Sequence, residues 1–367
     1  MRVKNAIALL GGFTMLVVIP VAINVMALAI VVHNGRYGSD FSTFYDSGRA
    51  VLHGKSPYPA LASLPHVAGK LFAPFVYPPV AAFSMIPLSV LPFHVAVVVF
   101  LALNLAAAWL ALRLLGVSDW RCYSIVYASS MMYAAVGIGT ISPLLLLGVA
   151  AAWRFRDRAV AAGLLVAYVI TAKLFLWPLW LWLVCTRRFK AAGVAAAAGG
   201  GAVLASWSLI GFAGLRDYPH LLARMTELEG PHSYSLYSLG RAFGLASSPA
   251  QTIVYIATVV AIATAMRFVR GDRQWLVAAL GISLLATPIL WPHYLVLLWV
   301  PVALMHRRFS PFWLAPLALW LDAAGWSWGN PLRIVGVLAF VAAMVAAGVG
   351  TRLHLQQGRS ELSPSLP

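Results

Sequence analysis

Asp40, Lys173, His232 and His293 are the side chains whose types and settings could do chemistry in this sequence. Asp40 stands at the head of FSTFYDSG. There Phe41, Phe44, Tyr45, Val51 and Leu52 recur near helical spacing, while Ser42, Thr43, Asp46 and Arg49 take the other side. That pattern predicts an amphipathic helix lying on a membrane surface. An Asp at its start has two uses: capping the helix with one carboxylate oxygen, or acting as a base at the edge of a cavity. One carboxylate can do both. Asp46 is six residues further on and off that helix face, so a paired-carboxylate site is not supported. Lys173, in TAKLFLWPLW, has no polar loop to receive it. It either snorkels from a helix end or places a cation in a cavity that binds an anion. His293, in ATPILWPHYL, occupies an equally tight turn between aromatic residues, and is either an interfacial side chain or part of the same cavity. His232 lies in EGPHSYSLYSLGRAFG, a loop rich in Ser and Tyr hydroxyls.

The elements that position these residues must be membrane helices. Of 367 residues, 62% are hydrophobic and 10% charged, against roughly 25% charged in a soluble domain, and the mean hydropathy is +0.85. Apolar stretches of spanning length recur along the chain, and in lipid each must close its own backbone hydrogen bonds as a helix. The spans are expected at residues 6–32, 94–115, 122–139, 143–153, 159–172, 174–185, 191–212, 252–268, 275–289, 294–305, 312–323 and 334–350. The proline-rich stretch 78–92 either dips into the membrane or begins the next span. The first run follows Arg2 and Lys4 but is too long for a signal-peptide core, so it is expected to be retained. A membrane domain over 1–355 and a disordered cytoplasmic tail over 356–367 complete the organisation. Cys122 and Cys185 are read as buried thiols, and no metal-ligand spacing occurs.

Charge sets the orientation. With the N-terminus cytoplasmic, the tight clusters Arg154, Arg156 and Arg158, then Arg187, Arg188 and Lys190, then Arg267, Arg270 and Arg273, then Arg307 and Arg308 all fall inside. Both long loops, residues 33–77 and 213–250, fall outside with Asp40, Lys173, His232 and His293. The protein is therefore expected to work on its outer face. The net charge of +16 is scattered between apolar spans, so a nucleic-acid partner is not expected. The absence of a Walker loop or dinucleotide fingerprint argues against a nucleotide-linked substrate.

The first helix, the acid followed by aromatic and Tyr residues, GKSPY at 54–58 and YPPVAAF at 77–83 together resemble glycosyltransferase family 87. These are membrane enzymes of the GT-C structural class and include polyprenol-phosphate-mannose-dependent mannosyltransferases. The Lys173 segment and WPHY at 291–294 fit the same family. GTISP at 139–143 departs from it, since a Gln and an Asn would be expected there.

The resemblance implies a GT-C-like bundle for this all-α transmembrane chain; the charge pattern places both termini in the cytoplasm, and with no eukaryotic targeting signal recognised the bacterial inner membrane is the expected location. The resemblance also implies an inverting transfer of a sugar, mannose first, from a polyprenyl phosphate to an acceptor hydroxyl in envelope glycan or glycolipid synthesis. A phosphate leaves without an acid behind it, so one carboxylate base suffices; by analogy that base is Asp40. Lys173, His293 and His232 would hold the donor phosphate, with no metal and no cofactor beyond the lipid-linked sugar. Tyr45, Asp46, Tyr58 and Tyr77 would line the cavity on the acceptor side. The partners implied are membrane lipids, the lipid-linked donor and a glycolipid or glycan acceptor. A flippase for lipid-linked sugars would instead show polar groups at the midplane and internal repeats, and a non-enzymatic assembly subunit would tolerate loss of Asp40.

Overall fold

Apolar segments that cannot bond to water close their backbone hydrogen bonds locally, and every regular element among the described residues is helical. The computed structural model describes residues 10–34, 40–64, 74–322 and 325–350. The tail 356–367, and Arg36 and Lys70 of the first long loop, lie outside the described residues.

Five helices are long and apolar enough to cross a bilayer: Leu10–Ile30, Phe93–Leu114, Phe189–Leu209, Ser247–Phe268 and Pro331–Gly350. Ser130–Gly137 and Ser142–Arg154, bent by 120° at the turn between them, add a sixth if they count as one broken span. The long helices thus account for fewer crossings than the sequence reading expects, and shorter segments hold the rest of the apolar chain. The segment expected as one span over 122–139 divides into Trp120–Tyr127 and Ser130–Gly137. Ser129 is the reason. Its hydroxyl donates to the Val126 carbonyl at 2.6 Å and accepts from the Met132 N–H, ending one helix and capping the next. The stretch 78–92 forms two short helices, Pro79–Ser84 and Ile86–Ser89, neither long enough to span.

The later short segments gain reach by winding tightly. Pro292–Leu298 and Pro311–Leu321 are 3-10 helices. At a rise of about 2.0 Å per residue, against about 1.5 Å in an α-helix, Pro292–Met305 extends about 25 Å. That approaches the roughly 30 Å of a hydrocarbon core.

Helix Ala159–Ala172 packs along Phe189–Leu209, and small residues at their contact, among them Gly163, Ala191 and Gly199, let the backbones approach closely. Below them, Asp272 ties together three turns. It accepts from Arg188 at 2.7 and 2.9 Å, from Arg156 at 3.0 Å and from the Trp182 indole at 2.8 Å. Both cysteines are free thiols.

The helix expected after the first span is Asp40–Leu52. Its apolar stripe, expected on the membrane surface, packs instead on protein. Phe41 stacks on Phe100 at 4.7 Å, Phe44 meets Tyr77 at 4.7 Å, and Tyr45 meets Phe93 edge-on at 5.2 Å. Buried aromatic contacts of this kind fix the helix, and with it Asp40, against the bundle.

Candidate active site

Asp40 is anchored through its backbone. Its N–H, one of the unpaired donors at a helix start, donates to the Ile138 carbonyl at 2.7 Å. Ile138 belongs to the turn between Ser130–Gly137 and Ser142–Arg154. The next residue, Gly139, has φ +67°, and a Cβ there would stand 2.8 Å from the Phe41 Cβ. Only glycine lets this turn close onto the helix. The 139–143 turn is thus the seat of Asp40. Thr140 and Ser142 are buried in it, near where the family resemblance led us to expect Gln and Asn. Thr140 Oγ1 accepts from the Ser142 N–H at 3.2 Å, while Ser142 Oγ has no partner.

Asp40 lies inside the first helical turn, and its carboxylate takes no hydrogen bond from any described residue. The capping role is therefore unfilled by this side chain. Burial pushes its carboxyl up to about 6, while the Lys173 ammonium pulls it the other way.

Lys173 follows helix Ala159–Ala172 in an extended conformation (φ −152°, ψ 104°) that breaks the chain before the tight turn Leu174–Leu176. The break buries the side chain, leaving it 5% exposed. Its Nζ lies 3.9 Å from the centroid of the Tyr294 ring and 5.2 Å from that of Tyr77, and donates weakly to the Tyr77 hydroxyl at 3.5 Å. Two π faces thus hold the ammonium. No salt bridge joins it to Asp40 at contact distance, although each feels the other's charge.

The two tyrosines are themselves braced. Tyr294 stacks on Phe175 at 4.8 Å and 7°. The Tyr77 carbonyl accepts from the Tyr58 hydroxyl at 2.7 Å, and the Val76 carbonyl from the Tyr218 hydroxyl at 2.9 Å. Tyr58 stacks on Trp207 at 5.1 Å. His293 is 3% exposed, its ring 4.6 Å from that of Tyr294, and its Nε2 has no hydrogen-bond partner.

The structure therefore brings Asp40, Lys173, Tyr77 and His293 into one neighbourhood. His232 is elsewhere: its ring contacts are Trp326 and Trp328, and none of the interactions above includes it. Asp46 is exposed. The Tyr45 hydroxyl is bonded to the Leu91 carbonyl at 2.7 Å, so Tyr45, like Tyr58, braces backbone. Sequence reasoning missed Tyr294 as a site residue, along with Tyr218 and Ile138. WPHY held the signal for Tyr294, and the glycine at 139 held the signal for the turn. Among the described residues no three His, Cys, Asp or Glu side chains gather as a metal site requires. What remains is a carboxylate raised to about 6 near an ammonium with no salt bridge to an acid among the described residues. These are the parts for taking a proton next to a developing anion.

Comparison with known proteins bears on that chemistry. The model of glycosyltransferase family 87 matches residues 75–292. That stretch includes Tyr77, Lys173 and His232, and ends just before His293. The chain is also similar to the polyprenol-phosphate-mannose-dependent alpha-(1-2)-phosphatidylinositol pentamannoside mannosyltransferase of Mycolicibacterium smegmatis. The two are 28% identical over 302 residues, covering 72% of this chain and 67% of the relative. No solved structure matches.

Proposed function

The chain belongs to glycosyltransferase family 87, and from that premise we propose that it moves a sugar, mannose first, from a polyprenyl phosphate to a hydroxyl of a glycolipid or glycan. The observation that carries this reading is the pairing of Asp40, whose carboxylate has no hydrogen-bond partner among the described residues, with the π-held ammonium of Lys173. The acceptor oxygen attacks the anomeric carbon with inversion, and its proton passes to Asp40. The bond from that carbon to the phosphate oxygen breaks, and the electron pair leaves with the phosphate. Lys173 stabilises the charge that develops there, and the unpartnered Nε2 of His293 supplies a hydrogen bond. We assign the step no metal and no cofactor other than the lipid-linked sugar. The basic inner clusters support placing the reaction at the outer face of the inner membrane.

An apolar groove of about 500 Å³ supports a lipid-linked donor. The first helix lines it with Leu16, Pro20 and Leu28, and helix Phe93–Leu114 with Leu101 and Leu105. Its polar lining residues donate to backbone, and the Asn24 Oδ1 is buried without a partner. Asn24 Nδ2 donates to the Pro20 and Tyr127 carbonyls at 2.8 and 2.7 Å, Tyr127 to the Leu105 carbonyl at 2.7 Å and Tyr123 to the Val117 carbonyl at 2.9 Å. The wall thus suits hydrocarbon. Val136, near the turn that seats Asp40, also lines the groove. We assign it to the isoprenoid tail.

The test is transfer of label from radiolabelled polyprenyl-phosphate-mannose to a membrane lipid extract by purified protein in vesicles. Wild type and Asp46→Asn are expected to form product, and Asp40→Asn is not. Equal transfer by Asp40→Asn would sink the mechanism.

A further inference from the structure

The tryptophans that surround His232 carry a second assignment. The Trp326 ring lies 5.2 Å from Trp291, 5.3 Å from Trp328 at an interplanar angle of 23°, and 5.5 Å from His232. His232 is also 5.8 Å from Trp328. We propose that these four rings are a carbohydrate-binding platform that seats the glycan part of the acceptor, an assignment that rests on the glycosyltransferase reading above.

The rings come from three separate turns, and hydrogen bonds lock those turns together. The Ser327 N–H donates to the His232 carbonyl at 2.9 Å, and the Tyr234 N–H to the Leu290 carbonyl at 2.9 Å. The Ser235 hydroxyl donates to the Pro288 carbonyl at 2.6 Å and the Tyr234 hydroxyl to the Asp322 carbonyl at 2.9 Å. Trp328 is 69% exposed and sits at φ +53°, a left-handed conformation that opposes a bulky side chain. Strain at an exposed aromatic residue points to a role for the side chain. An interfacial anchor needs only a single indole at the boundary, not four rings fixed relative to one another. A pyranose ring matches such a cluster: its C–H faces lie on indole faces, and its rim hydroxyls meet an imidazole. Pre-organised rings also lose little entropy on binding. The platform adjoins the proposed donor site, because Trp291 is two residues from His293 and three from Tyr294, the ring under Lys173.

The experiment separates binding from transfer. Wild type, Asp40→Asn, Trp326→Ala, Trp328→Ala and Trp328→Phe are placed in nanodiscs. Each is mixed with soluble α-mannobiose, and in parallel with β-gluco- and galactobiosides, and saturation transfer to the sugar is followed by NMR. Sugar signals are expected with wild type, Asp40→Asn and Trp328→Phe, and a several-fold loss with Trp326→Ala and Trp328→Ala. In the transfer assay the two alanine variants should raise acceptor KM about tenfold, the scale of one aromatic contact, with donor KM unchanged. Thermal melting of each variant reports whether it is folded. No saturation transfer from wild type to any of the sugars, or equal signals in wild type and the folded alanine variants, would overturn the platform. So would loss of the Trp328 fluorescence component in vesicles with brominated acyl chains, since that would bury the indole in hydrocarbon. Sugar binding by a wild type that transfers from no lipid-linked donor would instead overturn the donor reading and leave the platform standing.

Discussion

The Nζ of Lys173 lies 3.9 Å from the centroid of the Tyr294 ring, and among the described residues no carboxylate forms a salt bridge with it. Burial pulls this ammonium down to about 7, against the pull of Asp40, so the π faces and an incoming anion are what favour its charged form. Lys173→Met should therefore lower kcat by roughly 10²–10³, as removal of a charge-stabilising donor does elsewhere. Tyr294→Phe keeps the π face and should stay near wild type. Tyr294→Ala should raise donor KM about tenfold, the scale of a desolvated cation–π contact. Initial rates in vesicles at varied donor concentration distinguish the three variants.

Asp40 gives the reaction a pH limb with a defined sign. Its carboxyl is raised to about 6 by burial against the pull of Lys173, and the base must be deprotonated. Activity should rise with pH through about 6, as Asp40 loses its proton, and fall again above about 7, as Lys173 loses its own. Lys173→Met removes the group that lowers this value, so its residual activity should have the limb displaced to higher pH. The stability linkage runs the other way. A folded-state value above the ordinary carboxylate value stabilises the fold at low pH and loses that contribution as pH rises through about 6. Asp40→Asn should accordingly melt no lower than wild type at pH 7.5, and up to about 2 kcal/mol more stable, while transferring no sugar.

Gly139 tests how Asp40 is seated. Gly139→Ala combines a left-handed backbone with a Cβ 2.8 Å from the Phe41 Cβ. The turn must then move away from the helix and take the Ile138 carbonyl from the Asp40 N–H. Transfer should drop at least tenfold, with a stability loss of about 2 kcal/mol. Gly54 is the control: its φ is +66°, but nothing lies within 4 Å of the added Cβ. Gly54→Ala should cost about 1 kcal/mol in melting and leave kcat unchanged.

At the opposite end of the bundle, Asp272 holds Arg156, Arg188 and Trp182 at once. Removing one member of such a cluster strands the others, at roughly 3–5 kcal/mol when fully buried. Asp272 is 29% exposed, so Asp272→Ala should cost about 2 kcal/mol. The variant should melt lower in detergent, yet transfer at the wild-type rate per folded molecule well below that temperature.

Which parts were legible follows from what each signal measures. The helix at 40–52 could be read because its stripe repeats at helical spacing, but periodicity does not say whether protein or lipid covers the stripe. Lys173 and His293 stood out because a charge or imidazole between apolar segments has few places to go, and both reached the site. His232 did not, because a long loop leaves its destination to tertiary contacts, here the turn at 286–291 and the tryptophans beyond it. Tyr45 and Tyr58 offered hydroxyls to a sequence reader, but both hydroxyls are bonded to backbone carbonyls, partners that composition cannot show. The break at Ser129 was hidden because one serine barely alters the hydropathy of an apolar run, although its cap is enough to end a helix. The cluster at Asp272 left no local signal, since its arginines lie 84 and 116 residues away in sequence.

The apolar groove between the first helix and helix Phe93–Leu114 makes the lipid part of the donor testable apart from its sugar. Its walls offer hydrocarbon, Leu28 and Leu101 among them. Each buried methylene of an isoprenoid tail is worth about 0.8 kcal/mol, so several isoprene units in the groove would dominate donor affinity. Leu101→Trp fills part of that volume. It should raise KM for a long-chain polyprenyl-phosphate-mannose by tenfold or more, while a donor with two isoprene units, too short to extend far along the groove, should lose little. Leu103 lies on the same helix but is exposed outside the groove, and Leu103→Trp should affect neither donor. If the long and short donors respond equally to Leu101→Trp, the tail lies elsewhere and the groove holds only bulk lipid.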